Sequence, residues 1–152
     1  MVNNETVLVL APHTDDGELG CGATISKFIE EGKNIYYAAF SICEESVPEG
    51  YPENILETEV KKATHVLGIK QENLIVYKFK VRRFPEFRQE ILEELVKLKK
   101  QINPDLVLCL LHTMCTRIIK RSSRRVAGLS KIHLSWVMNS CGTTFPFILP
   151  AP

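Results

Sequence analysis

Apolar residues fall along this chain in short blocks that alternate between a strand-like and a helix-like spacing. Residues 6–11 are continuously apolar after Thr6, with β-branched Val7 and Val9, and predict a buried strand. Gly20 and Gly22 then interrupt the chain, and residues 23–31 predict a helix that buries Ile25, Phe28 and Ile29, with Gly32 as its C-cap. A second strand is expected at 34–40 and a loop carrying Pro48, Gly50 and Pro52 at 41–54. Leu56, Val60, Ala63 and Leu67 share one face of a helix expected at 55–67 and closed by Gly68. A third strand is expected at 74–79 and a basic loop at 81–85. Phe87, Ile91, Leu95 and Leu98 recur at helical spacing and predict a helix over 86–101, before Pro104 and a fourth strand at 106–111. This alternation implies an α/β fold: a Rossmann-like, three-layer αβα arrangement with a mainly parallel sheet and right-handed crossovers.

The rhythm stops there. Residues 117–125 are basic and serine-containing, 132–138 are a weak strand candidate, and 143–152 carry three prolines and are expected to be irregular. We therefore divide the chain into a domain over 1–111 and an atypical basic tail over 112–152. No internal repeat is visible.

Charge sharpens that division. The net charge of +1 combines 13 Lys and Arg against all 18 Asp and Glu in residues 1–105, a balance of −5, with six basic residues and no acid in 106–152. At 152 residues and 45% hydrophobic content, the chain is about one ordinary globular domain. No apolar run approaches the roughly 20 residues that span a bilayer, and the N-terminus lacks signal-peptide character. A cytoplasmic location without membrane association is the default expectation. Five cysteines without C-x-x-C spacing indicate neither a disulfide framework nor a zinc knuckle.

The chemistry concentrates where the first strand ends, in His13, Asp15 and Asp16. A histidine and two carboxylates after a buried strand are costly unless they serve a purpose, and in an open α/β sheet that end is where ligands bind. His13 and Asp16, three residues apart on a turn, can converge on one divalent metal ion. Asp15 is expected off that face, where it can act as general base on a water at the ion. The reaction class this suggests is hydrolysis of a carbonyl compound. The plain alternative is a helix-capping turn in which Asp15 or Asp16 serves alone.

The run Ala-Pro-His-Thr-Asp-Asp-Gly-Glu-Leu-Gly-Cys-Gly-Ala-Thr-Ile resembles the signature of the PIG-L/LmbE-like deacetylases. These are zinc-dependent enzymes that remove acetyl groups from N-acetylglucosamine-type sugars. Motif, order and element spacing agree over residues 6–109. Thr14 stands for a common proline and Ala23 for a common glycine. The resemblance implies that His13 and Asp16 are metal ligands, that Asp15 is the catalytic base, and that the metal is Zn²⁺ or another divalent ion such as Fe²⁺. It implies an amino-sugar conjugate as the small-molecule substrate. It also implies an arginine after the third strand that touches substrate, for which Arg82 and Arg83 are the candidates; a solvated basic loop is the alternative for both.

The family's third ligand closes a His-x-Asp-His motif after the fourth strand, and this chain has none. His112 is a weak stand-in, while His65 and His133 read as structural. The acid-free tail suggests translation out of frame after about Cys109. Codons exist for residues 112–123 whose reading from the third base gives Tyr-Asp-Val-His-Thr-Asp-His-Gln-Ala-Val-Val, with the motif in place; the gene's nucleotide sequence decides the matter. The expectation is a metal-dependent N-deacetylase, inactive if the second half of its site is lost. The competing reading is a degenerate family member or binding module without catalysis. A nucleotide-binding loop built on Gly17, Gly20 and Gly22 has the wrong glycine order and two acids beside the phosphate. Nucleic-acid binding by residues 117–125 lacks interleaved aromatics. Oligomerisation is left open.

Overall fold

The computed structural model describes residues 5–109. The elements are β1 (Thr6–Ala11), α1 (Asp16–Glu30), β2 (Asn34–Ala39), α2 (Ile55–Val66), β3 (Leu74–Val76), α3 (Arg88–Ile102) and β4 (Leu106–Cys109). All pairings are parallel, and the strand order is β3-β2-β1-β4. The expected tail, with His112, His133, the basic cluster at 117–125 and the strand candidate at 132–138, lies outside the described residues. So does the end of the fourth strand at 110–111.

Strict alternation along the strands builds the three layers. Val7, Val9 and Ala11 of β1 face one side with Ile35, Tyr37 and Ala39 of β2, and pack on Ile25 of α1 and Val60 of α2. Leu8 and Leu10 face the other side with Ala38 and Phe40, and pack on Ile91 and Leu98 of α3. Helices thus cover both faces, and the central strand β1 is buried from Val7 onward. That double burial explains why β1 reads as an unbroken apolar run rather than an alternating one.

Side chains at the strand beginnings fix the register. Thr6 donates its N–H to the Asp105 carboxylate at 2.9 Å, and its carbonyl accepts the Asp105 N–H at 2.8 Å. Asn73 donates through Nδ2 to the Ile35 carbonyl and to Asn34 Oδ1, both at 2.9 Å. The carboxyl ends of β1 and β2 lie level at Ala11 and Ala39.

Three boundaries depart from the sequence expectation by two residues or more. Helix α1 begins at Asp16 and runs through Gly20 and Gly22, with a break in helical geometry at Cys21 (φ −144°, ψ 21°). The glycines therefore do not precede the helix, and the phosphate loop already disfavoured by their order does not form; Gly17, Gly20 and Gly22 all lie within α1. Strand β3 stops at Val76, although Tyr77 and Phe79 still donate N–H groups to the Ala39 and Phe40 carbonyls at 2.8 and 3.1 Å. Helix α3 starts two residues later than expected, at Arg88, because residues 81–87 first wind into a 3₁₀ turn at Val81–Arg83. Gly32 and Gly68 take positive φ (81° and 87°) just past the ends of α1 and α2, as helix-terminating glycines do. No helix among the described residues is long and apolar enough to cross a membrane.

Candidate metal site and its surroundings

Pro12 to Asp15 connect β1 to α1 at the carboxyl end of the central strand. Asp15 has already turned into helical dihedrals (φ −100°, ψ −15°), so the chain winds immediately and successive side chains gather on one side. One nitrogen of His13 and one carboxylate oxygen each from Asp15 and Asp16 lie within 4.8 Å of one another. Asp15, expected off the face shared by His13 and Asp16, thus joins them, because the early helical turn carries it round. Asp15 occupies the N-cap position but makes no side-chain capping hydrogen bond. The capping alternative does not account for it, and its carboxylate stands exposed.

Asp16 and His13 hold each other. Asp16 Oδ2 accepts the His13 backbone N–H at 2.8 Å and lies 3.0 Å from His13 Nδ1. The hydrogen bond to Asp16 raises the His13 pKa against its partial burial, with the charges of Asp16 and Asp15 adding to the shift. Burial works against the Asp16 charge, yet the two hydrogen bonds from His13 outweigh it and hold that carboxyl below its ordinary range. The result is one imidazole and two carboxylates, a donor set of the kind that takes Zn²⁺ or Fe²⁺.

Neutral groups brace this turn from beneath. The Tyr37 hydroxyl of β2 accepts the Gly17 N–H at 2.9 Å and donates to the Thr14 carbonyl at 3.0 Å. The Cys21 thiol donates to the Gly17 carbonyl at 3.2 Å. Burial pushes that thiol up to about 12 and the Tyr37 phenol above its ordinary value, so both remain neutral donors.

The 3₁₀ turn after β3 meets the site through Phe84, whose ring stacks on the His13 imidazole with centroids 6.3 Å apart and planes 15° apart. Arg83 is exposed and turned onto Glu86, hydrogen-bonded through Nε at 2.8 Å and ion-paired through its terminal nitrogen, with its guanidinium 5.9 Å from the Phe87 ring centre. Arg82 is exposed, with no ion pair among the described residues. A cavity of about 100 Å³ opens nearby, lined by Ser41, Cys43, Glu45, Lys78 and Lys80 among others, and by none of the three donor residues. Phe84 and Tyr37 are not candidates from the sequence. Tyr37 leaves one trace there, a hydroxyl inside a buried strand that needs a partner.

Comparison with known proteins agrees with this fold. The family model for GlcNAc-PI de-N-acetylase (PIG-L) matches residues 8–114, and the chain belongs to that family. A probable N-acetyl-alpha-D-glucosaminyl L-malate deacetylase 2 of Bacillus anthracis is 29% identical over 116 residues, 71% of this chain and 51% of that protein. The chain therefore spans about half the length of that curated relative. A conserved protein of Thermus thermophilus superposes with a TM-score of 0.62 at 31% identity, over 86% of this chain and 60% of the other. The N,N'-diacetylchitobiose deacetylase of Pyrococcus horikoshii, solved with an inhibitor, shares the fold (TM-score 0.68, 23% identity) over 82% of this chain and 50% of its own.

Proposed function

We propose that this chain carries the base and two metal ligands of a hydrolytic N-deacetylase acting on an N-acetylglucosamine-type conjugate. The gathering of His13, Asp15 and Asp16 donors within 4.8 Å at the carboxyl end of the central strand carries this reading. His13 and Asp16 would hold a divalent cation, Zn²⁺ or Fe²⁺, and their donor types suit it. When bound, that ion supplies Lewis acidity toward water and toward the acetamide carbonyl.

The remaining steps fall to side chains. Asp15 is exposed and free of capping duty, so its carboxylate can take a proton from the attacking water. The water oxygen then bonds to the amide carbon, the C–N bond breaks, and the same carboxyl returns a proton to the departing nitrogen, leaving acetate and a free amine. Asp16 fixes the His13 ring and backbone. Arg82 is the better placed of the two arginines for contact with a sugar hydroxyl or an acidic aglycone, since Arg83 is committed to Glu86.

Metal analysis with an N-acetylglucosaminide deacetylation assay tests the proposal. Stoichiometric metal, and turnover that falls at least about a hundredfold in Asp15→Asn, are the expected results. A folded protein without metal and without turnover overturns it. A second reading, a family member that binds metal or sugar without catalysis, is favoured by the missing His-x-Asp-His motif; metal bound without turnover identifies it. We also retain the proposal that residues 112–152 are read out of frame. A gene without an intact His-x-Asp-His one base away refutes that.

A further inference from the structure

We propose that Tyr37 is a positioning residue for the metal-binding turn, and that Gly17 is the residue its ring requires at the start of α1. The inference rests on the reading of His13, Asp15 and Asp16 given above.

Tyr37 is fully buried in β2, opposite Val9 of β1. Its hydroxyl uses both of its capacities on the turn, donating to the Thr14 carbonyl and accepting the Gly17 N–H. Those two groups bracket Asp15 and Asp16, so one rigid ring clamps both ends of the peptide that carries the two carboxylates. The Gly17 N–H belongs to the first turn of α1, where no intrahelical acceptor exists, and being buried it needs a partner. A ring seated in the sheet gives that partner a fixed position.

Gly17 shows how closely the ring approaches. A Cβ at that position would sit 2.3 Å from both the Tyr37 hydroxyl and a ring carbon. Any side chain there would displace either the ring or the turn. The Gly17 carbonyl is held as well, by the Cys21 thiol. Side chains therefore grip both polar groups of the residue that follows the two carboxylates. A purely space-filling tyrosine would affect stability alone. A clamp also affects the placement of the ligands, and supports of this kind are typically worth ten- to a hundredfold in metal affinity.

Co²⁺ alone serves as the probe, added to the full chain, with affinity from titration and coordination from the visible absorption spectrum. Tyr37→Phe keeps the ring and removes the clamp; it is expected to bind Co²⁺ at least about tenfold more weakly and to change the absorption envelope. Ile35→Val removes a methyl group from the same face of the same strand. It is expected to lower the thermal midpoint while keeping the parent affinity and spectrum. Tyr37→Phe with a lowered thermal midpoint but the parent's affinity and spectrum overturns the inference. Should Tyr37→Phe not fold, Gly17→Ala drives a Cβ against the ring while the Tyr37 hydroxyl is kept. Weaker Co²⁺ binding then supports the clamp, and parent-like binding overturns it. His13→Ala separates the two levels. If the folded parent binds no Co²⁺, the reading of the site fails and the inference with it. If the parent binds and His13→Ala does not, an unchanged Tyr37→Phe refutes the clamp alone.

Discussion

Two short turns meet over the candidate site, and their supports differ: the first adds buried neutral hydrogen bonds to its His13–Asp16 pair, and the second carries an exposed ion pair. The turn from Pro12 to Gly17 is tied from below by neutral, buried hydrogen bonds from Tyr37 and Cys21. The turn over 81–87 lies on the surface, and besides its backbone hydrogen bonds it carries the exposed side-chain pair of Arg83 and Glu86. Phe84 of that second turn stacks on the His13 ring, and Phe87 packs against the core beside Phe79. Donors that must converge on one ion need placement to about half an ångström, and buried neutral hydrogen bonds supply it without sensitivity to salt or pH. A surface ion pair is screened by solvent and salt and contributes little to stability.

The largest expected effect breaks the first turn from beneath. Tyr37→Ala removes a fully buried aromatic ring and leaves the Thr14 carbonyl and Gly17 N–H without their partner. A loss of about 3–5 kcal/mol is expected from the cavity, and the two orphaned groups add to it. Urea denaturation measures it, and a loss below about 1 kcal/mol would mean that the turn is not held this way.

Gly17→Ala comes next and has a diagnostic sign. On helix propensity alone alanine stabilises a helix by up to about 1 kcal/mol over glycine. Here the added Cβ meets the Tyr37 ring at 2.3 Å, and the ring is enclosed. Overpacking of this kind costs about 1–3 kcal/mol, so net destabilisation is expected; a stabilised variant would contradict the packing described.

Phe84→Ala sharpens the point where the two turns touch. Aromatic pairs of this type contribute about 0.5–1.5 kcal/mol beyond the area they bury. Co²⁺ titration of the variant is expected to show a loss of roughly two- to tenfold, since about 1.4 kcal/mol is a factor of ten. An unchanged affinity would mean that the stacking does not steer His13.

How much of this is legible in the sequence follows from where each signal resides. The apolar run of β1 and the amphipathic pattern of α3 lie within single segments, and the structure reproduces both, while it brings His13 Nδ1 within 3.0 Å of Asp16 Oδ2. The start of α1 differs because Gly20 and Gly22 read as breakers, whereas the helix runs through both, and a Cβ added at Gly22 would lie 3.8 Å from the Leu67 side chain. β3 is shorter than its pattern because Tyr77 and Phe79 continue the alternation while only part of the ladder persists. The Tyr37–Gly17 contact spans twenty residues and depends on which face of β2 meets α1. Local pattern carries no such information. Arg82 and Arg83 look equivalent in sequence, and the contacts of Arg83 with Glu86 and the Phe87 ring distinguish them.

The smallest effect tests the second turn. The hydrogen bond and charge of Arg83 hold the Glu86 carboxyl below its ordinary value of 4.5. A carboxyl lowered in the folded state adds stability above its unfolded value and loses it as the pH falls through the folded one. The pair's contribution is therefore complete above about pH 4.5 and fades below it. Glu86→Gln is expected to lower the urea midpoint only slightly at neutral pH. That small deficit should vanish as the pH falls below 4.5, where the parent loses the pair too, and should be removed by about 1 M salt. The deficit of Tyr37→Phe should instead persist unchanged from roughly pH 5 to 8 and in the same salt, because the phenol it removes is neutral throughout. If both deficits shifted together with salt, the two turns would share one electrostatic support, and the distinction between a turn held by buried neutral bonds and one held by a surface ion pair would fail.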